Sequence, residues 1–206
     1  MTKIAIMGSH PLTKMQAPFD DPDWKIWACS PHNFEKERLP RVDEWFENHV
    51  PAGDDERRGT LENWLQHPTP KDEPVTVFKT DNGPMVVAPP TRTPEYLQFV
   101  RELTEEMPVW MRDRTSHEKA LAFPEEELKK RFCPFMFTSS IAYILAKAIA
   151  EAPEVIGLWG IMQASENEFR YQRPGIQYFL WEANRADIEV IAPDESKLLE
   201  LPEENW

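Results

Sequence analysis

Glycine and cysteine are both scarce in this chain, and each shortage excludes a class of site. The chain has 7 Gly in 206 residues, and neither the G-x-G-x-x-G turn nor the G-x-x-x-x-G-K-[ST] loop occurs. Its 2 Cys, Cys29 and Cys133, lie far apart in apolar stretches, which excludes a disulfide framework and a cysteine-rich zinc site. His49, His67 and His117 have no metal-ligand spacing between them, so we expect no metal.

Basic residues and long apolar runs are also in short supply. The 36 acidic and 23 basic residues give a net charge of −13, the wrong sign for holding a nucleic-acid duplex tightly. No apolar run approaches the about 20 residues of a membrane-spanning helix, and residues 1–10 do not have the pattern of a signal peptide. We expect a cytoplasmic protein with no membrane partner. The oligomeric state stays open, because no heptad seam or exposed apolar stripe stands out.

Apolar runs that end in turn residues predict an α/β fold. We interpret five runs as strands, at residues 3–7, 24–29, 42–49, 155–161 and 188–191. Helical spacing of apolar residues predicts helices over residues 93–107, 138–151 and about 174–185. This alternation predicts a Rossmann-like, mostly parallel open sheet with helices on both faces. Trp27, Trp45 and Trp159 are interpreted as core residues.

The length suits a single domain over residues 1–206 that carries one insertion. The chain has 20 Pro, and residues from about 51 to 93 are rich in proline and acidic side chains. Inside this insertion, Asn82-Gly83 lies between two short β-like runs and favours a hairpin.

Ligands of open parallel sheets bind beyond the carboxyl ends of the strands, so we expect the turns after the predicted strands to converge. The helix start at residues 138–140 combines free N–H groups with hydroxyls, which suits a phosphate; the alternative is that these hydroxyls only cap the helix. Two turn histidines are candidate general bases, with an amide as orienting donor; the alternative is ordinary turn histidines. The candidates in these turns are Gly8, Ser9, His10, Ser30, His32, Asn33, Ser139, Ser140 and Gly160.

Residues 166–175 form a polar segment with interleaved aromatic side chains, a composition that suits a sugar or a nucleobase. In this segment Arg173 could neutralise a phosphate and Tyr171 could donate to it, with Glu168 as a further ligand candidate. Tyr178 lies two helical turns after Tyr171 and could share its face. The alternative is a solvated loop in which Arg173 forms an ion pair with a nearby Glu.

Residues 137–199 resemble the nucleotide-binding core of bacterial sialyltransferases. The resemblance rests on T-S-S at a helix start, G-L-W-G-I at a strand end, a tyrosine-containing loop and P-D-E-S-K-L-L at the close. The opening I-M-G-S-H-P-L resembles the first strand and glycine loop of that family. The layout is also similar to short proteins of tailed phages, which would place the chain in the host cytoplasm. Two departures are Met162, where the family has an acid, and Ser9-His10, where it has Asn.

The resemblance implies a glycosyltransferase-like enzyme that takes a CMP- or UDP-type nucleotide sugar as donor and has no permanently bound cofactor. The ligand contacts that it implies are Gly8, Ser9, Ser30, Asn33, Ser139, Ser140, Gly160, Tyr171 and Tyr178. His32 would be the base, and Tyr171 and Arg173 would stabilise the leaving group. The acceptor is left open: a glycan, a free nucleotide or a modified DNA base. One alternative is a non-catalytic protein that sequesters a signalling or precursor nucleotide, and another is an interaction protein with a vestigial pocket.

Overall fold

Seven strands of this computed structural model form one sheet in which every pairing is parallel. The structure describes residues 2–29, 39–48, 76–80, 83–87, 101–112, 119–162, 172–196 and 198–199. The strand order across the sheet is β7-β6-β3-β2-β1-β8-β9. These strands are β1 Lys3–Met7, β2 Trp24–Cys29, β3 Glu44–Glu47, β6 Val109–Met111, β7 Leu121–Ala122, β8 Val155–Trp159 and β9 Glu189–Ile191.

A separate antiparallel hairpin consists of β4 Thr76–Thr80 and β5 Gly83–Val87. The hairpin confirms the expectation from Asn82-Gly83. The rest of the predicted insertion at residues 51–93 lies outside the described residues, so the single-domain organisation stays a prediction.

Helices cover both faces of the sheet, as predicted. The labelled helices are α1 Pro11–Lys14, α2 Glu125–Arg131, α3 Ser140–Ala150 and α4 Arg173–Arg185, and residues 101–106 are also helical. Ile144 of α3 and Phe179 of α4 belong to the core on one face, together with Ile6. Leu103 packs on the other face with Met7. None of the described helices is both long and apolar enough to cross a bilayer.

The central strands are buried on both faces, which explains their continuous apolar sequences. All five residues of β8 are buried, and β1 is buried from Ile4 to Met7. Trp27, Trp45 and Trp159 are 0%, 2% and 8% exposed, which confirms that they are core residues.

Some predicted boundaries differ from the observed ones. The strand predicted over residues 155–161 ends at Trp159, because Gly160 takes φ +68, outside the β region. The predicted strand over residues 42–49 is shorter, Glu44–Glu47. Residues 101–106 confirm the last part of the helix predicted over 93–107, and residues 93–100 lie outside the described part of the chain.

Candidate functional site

The starts of α3 and α4 lie at the carboxyl edge of the sheet. Helix α3 leads into β8 and α4 leads into β9, and these two strands are parallel neighbours. A helix that returns the chain to the amino end of a parallel strand runs antiparallel to it, so its own start lies at the carboxyl edge. The two helices also pack against each other. Their N-termini, each the positive end of a helix dipole, are therefore on the same edge as Gly8, which follows β1.

Ser139 caps α3, as the alternative interpretation of the sequence predicted. Its backbone is extended, and its hydroxyl oxygen accepts a hydrogen bond from the Ala142 N–H at 3.2 Å. The hydroxyl proton can still donate elsewhere, because capping uses only a lone pair of the oxygen. Helix geometry leaves the N–H groups of Ser140 and Ile141 without intrahelical acceptors. Capping and anion binding are thus compatible at this helix start.

The start of α4 is held against the start of α3 by close packing. The Thr138 hydroxyl donates to the Gln172 carbonyl oxygen at 3.1 Å. A Cβ atom at Gly175 would overlap both the Thr138 hydroxyl and the Met136 carbonyl oxygen, so only glycine allows this approach. The backbone around the two helix starts is therefore held in place.

Arg173 is the first residue of α4 and is 8% exposed. The sequence placed it in a polar loop, whereas the structure places it in a helix and buries it. The ion pair with a nearby Glu stays a prediction, because residues 166 and 168 lie outside the described residues. The first turn of α4 has no acidic residue. Arg173 also interacts with another group of the protein. An anion bound at this helix start would interact with the guanidinium and with the positive end of the helix dipole.

The loops after β1 and β8 are hydrogen-bonded and closely packed at Gly8 and Gly160. The Gly8 N–H donates to the Trp159 carbonyl at 2.7 Å, and the His10 N–H donates to the Gly160 carbonyl at 2.8 Å. A Cβ atom at Gly8 would overlap the Gly160 carbonyl oxygen. Packing alone therefore requires glycine at both positions, and Ser9 lies half-buried between these contacts.

His10 caps the short helix α1. Its Nδ1 accepts a hydrogen bond from the Leu12 N–H at 3.3 Å. In a neutral imidazole with Nδ1 as acceptor, the proton is on Nε2. His10 is therefore arranged as a donor at Nε2 rather than as a general base.

Tyr178 faces the short helical turn Pro134–Met136. Its hydroxyl oxygen accepts a hydrogen bond from the Cys133 N–H at 3.0 Å. Burial raises the pKa of the Tyr178 phenol, the Cys133 N–H opposes that rise, and the Glu182 carboxylate adds to it by charge and by accepting from the hydroxyl. The hydroxyl is engaged inside the protein by the Cys133 N–H, and Tyr178 is not carried into the proposed site.

Asn48 is a candidate that the sequence did not single out. It follows β3 at the same carboxyl edge and is 4% exposed, and neither its side-chain oxygen nor its nitrogen has a hydrogen-bond partner among the described residues. A buried amide with unmade hydrogen bonds costs free energy unless a ligand or water completes them. The strand was predicted over residues 42–49, so the sequence did not show that Asn48 follows the end of a strand.

A charged network that the sequence did not predict lies after β6 and β7. The Arg112 guanidinium donates to both carboxylate oxygens of Glu125, at 2.6 and 2.7 Å. Lys129 also contacts Glu125, and the Tyr143 hydroxyl donates to it at 3.2 Å. Burial alone would raise the pKa of Glu125, but the hydrogen bonds and charges of Arg112 and Lys129 outweigh it and lower the pKa. This network stabilises the start of α2.

Five predicted site residues, Ser30, His32, Asn33, Glu168 and Tyr171, lie outside the described residues. Of the others, the structure places Gly8, Ser9, His10, Ser139, Ser140, Gly160 and Arg173 at the carboxyl edge. Within the described ranges, no group of three or more His, Cys, Asp or Glu side chains is arranged to hold a metal ion.

The fold is similar to that of solved sialyltransferase structures. No protein-family model matches the chain, and no curated protein matches it. The sialyltransferase CstII from Campylobacter jejuni, in complex with CMP-3FNeuAc, is 14% identical with a TM-score of 0.51, over 93% of this chain and 80% of that chain. The same enzyme with cytidine-5′-monophosphate is 13% identical with a TM-score of 0.49, over 93% and 79%. At such identity the likeness concerns the fold: the chain has a sialyltransferase-like α/β fold.

Proposed function

We propose that this protein binds a nucleotide sugar at the carboxyl edge of its sheet and transfers the sugar to an acceptor. The proposal rests above all on the two helix starts joined by the bond between Thr138 and Gln172, with the buried guanidinium of Arg173 at one of them. Helix N-termini and arginine are the usual protein ligands of phosphate. In this proposal the N–H groups of Ser140 and Ile141, the Ser139 hydroxyl and Arg173 hold the phosphate nearest the sugar.

The rest of the nucleotide would extend along the edge toward Asn48. Strands β8 and β3 are three places apart in the sheet, which is about 14 Å at about 4.8 Å per strand. The length of an extended nucleotide is comparable with this distance. The oxygen and nitrogen of the Asn48 amide, which have no partner among the described residues, would then pair with the base or the ribose.

The reaction needs two kinds of help from the protein. An acceptor hydroxyl oxygen attacks the anomeric carbon, the bond from that carbon to the phosphate oxygen breaks, and the phosphate leaves with the electron pair. The helix N-termini and Arg173 would stabilise the charge that develops on this phosphate. A general base takes the acceptor's proton, and His32 remains the candidate. The donor is of the CMP or UDP type, and CMP-3FNeuAc, the ligand of the similar fold, is the first donor analogue to test.

A non-catalytic nucleotide-binding protein is the second candidate function. It is favoured by Met162, which stands where the resembled family has an acid, and by the engaged Nδ1 of His10. Product formation separates the two functions. A transferase or hydrolase releases free nucleotide from a nucleotide sugar, whereas a sequestering protein returns its ligand intact.

Thermal-shift and calorimetric titrations with CMP, UMP, UDP and their sugars test the site. We expect one nucleotide series to stabilise the protein, by about 2.7 kcal/mol at a concentration 100 times the Kd. Arg173→Met should weaken the affinity about tenfold or more, because it removes a charged hydrogen-bond donor. Arg185→Met at the other, exposed end of α4 is the matched control and should bind as wild type. A wild-type protein that responds to none of these ligands would refute the proposed function.

A further inference from the structure

The outer side of α2 carries charged residues of both signs in two separate groups. Helical spacing puts four exposed side chains on one face of this helix: Glu126, Glu127, Lys130 and Arg131. The two carboxylates lie in the first turn and the two cations in the last turn. The helix dipole stabilises this distribution within one chain. The same distribution also makes the face complementary to itself, because a copy turned end for end would set acidic residues against basic ones.

An exposed apolar residue lies beyond each end of this helix. Leu121, in the edge strand β7, is 39% exposed, and Phe135, in the short turn after α2, is 86% exposed. Each of them lies seven residues from Leu128, the one buried residue of α2. The turn that carries Phe135 is held in place, since the Cys133 N–H donates to the Tyr178 hydroxyl at 3.0 Å. A ring on such a fixed turn loses little conformational entropy when a partner covers it.

We infer that Leu121, the exposed face of α2 and Phe135, together called the α2 surface, bind a second copy of the same chain. A two-fold axis through the centre of α2 would make the two helices antiparallel. The acidic first turn of each helix would then face the basic last turn of the other, and each Phe135 would lie at the end that carries the other copy's Leu121. Such a contact is isologous: both copies use the same patch, and the assembly closes at two.

Charge complementarity favours a copy of this chain as the occupant. The exposed face of α2 has two acidic and two basic side chains, so it has no excess charge with which to attract a nucleic acid or an anionic membrane. A second copy supplies the same charges in the reverse order. Because the surface is small, we expect a weak dimer with a Kd of about 10–100 µM, so that dilute solutions contain the monomer.

Sedimentation velocity of the full chain from about 1 to about 500 µM tests the inference. We expect wild type to change from monomer to dimer over this range. Phe135→Ser should weaken the dimer about tenfold or more, because it removes the largest apolar side chain of the α2 surface. Met15→Ser, at an exposed apolar residue outside that surface, is the matched control and should dimerise as wild type.

Two charge-reversal variants test the antiparallel arrangement. Glu126→Lys with Glu127→Lys makes the exposed face of α2 positive, and Lys130→Glu with Arg131→Glu makes it negative. Each variant alone should stay monomeric at concentrations where wild type is dimeric, because like charges then face each other. An equimolar mixture of the two variants should form a heterodimer, because each positive face then meets a negative one. Formation of this heterodimer also shows that both variants are folded.

Four results would overturn the inference. The first is a wild type that stays monomeric over the whole concentration range. The second is a dimer that neither Phe135→Ser nor the charge reversals weaken, since it would form through another surface. The third is a mixture of the two charge-reversal variants that forms no heterodimer. The fourth is a monomeric wild type that cosediments with phosphatidylglycerol vesicles and loses this binding in Phe135→Ser, which would assign the α2 surface to a membrane.

Discussion

The Thr138 hydroxyl donates to the Gln172 carbonyl oxygen at 3.1 Å, across 34 residues of sequence. This bond joins the residue before the α3 cap to the residue before α4. It fixes the relative positions of the two helix N-termini. The candidate phosphate site therefore depends on a tertiary contact rather than on one local motif.

Gly175→Ala tests the close packing at this contact. The added methyl group would overlap the Thr138 hydroxyl and the Met136 carbonyl, so we expect a loss of about 1–3 kcal/mol in the free energy of unfolding. Alanine's better helix propensity, about 1 kcal/mol, offsets part of this loss. Urea unfolding measures the difference. Pro174→Ala, at an exposed position in the same turn, is the control, and a Gly175→Ala variant more stable than wild type would contradict the packing argument.

Tyr178→Phe tests whether this tyrosine is structural. The change removes the acceptor of the Cys133 N–H, and we expect a loss of about 1 kcal/mol in the free energy of unfolding. Affinity for CMP should stay unchanged, because the hydroxyl is engaged inside the protein. Urea unfolding and calorimetric titration measure the two effects. A large loss of CMP affinity at unchanged stability would mean that Tyr178 contacts the ligand.

Asn48→Leu tests the buried amide after β3. The substitution replaces an amide that has no hydrogen-bond partner in the described part of the chain by an apolar group of similar size, so stability without ligand should be unchanged or higher. Affinity for CMP should fall, because the amide can no longer pair with the nucleotide. Thermal unfolding and titration calorimetry measure both. Reduced stability with unchanged affinity would mean that Asn48 serves the fold alone.

The pKa of Glu125 makes a specific contribution to the pH dependence of stability. Arg112 and Lys129 hold this pKa below its ordinary value of 4.5. The stabilisation is fully present above the pKa of the unfolded state and is lost as the pH falls through the lower pKa of the folded state. Urea unfolding from about pH 7 to about pH 3 should therefore show a weaker loss of stability in Glu125→Gln than in wild type. Glu126→Gln, exposed in the same turn of α2, should follow the wild-type curve.

The sequence predicted the three central strands of the sheet, which are buried over most of their length, and also β3 and β9. Strands β1, β2 and β8 lie at the centre of a parallel sheet, where both faces need apolar side chains, and their runs were recognisable for that reason. Strand β7 has two residues, Leu121 and Ala122, both exposed, and α2 buries only Leu128. Neither element carries a periodic pattern long enough to be recognised, so both were missed.

The candidate site was predictable only where local chemistry defines it. Ser139 was found because a hydroxyl residue before an apolar helical repeat is a local signal of a helix start. The burial of Arg173 and Asn48 depends on contacts between distant segments, and no local pattern encodes it. Sequence reasoning could name Arg173 by its charge, but it could not show that the residue is buried at a helix N-terminus.

Calorimetric titration of CMP and cytidine into wild type and Ser139→Asp tests the central claim most directly. Asp is as good a helix cap as Ser, so this variant keeps α3 intact while its carboxylate repels a phosphate. We predict that wild type binds CMP more tightly than cytidine and that Ser139→Asp loses this preference without loss of stability. Equal affinity of both proteins for CMP, with the preference over cytidine retained, would contradict a phosphate site at the start of α3.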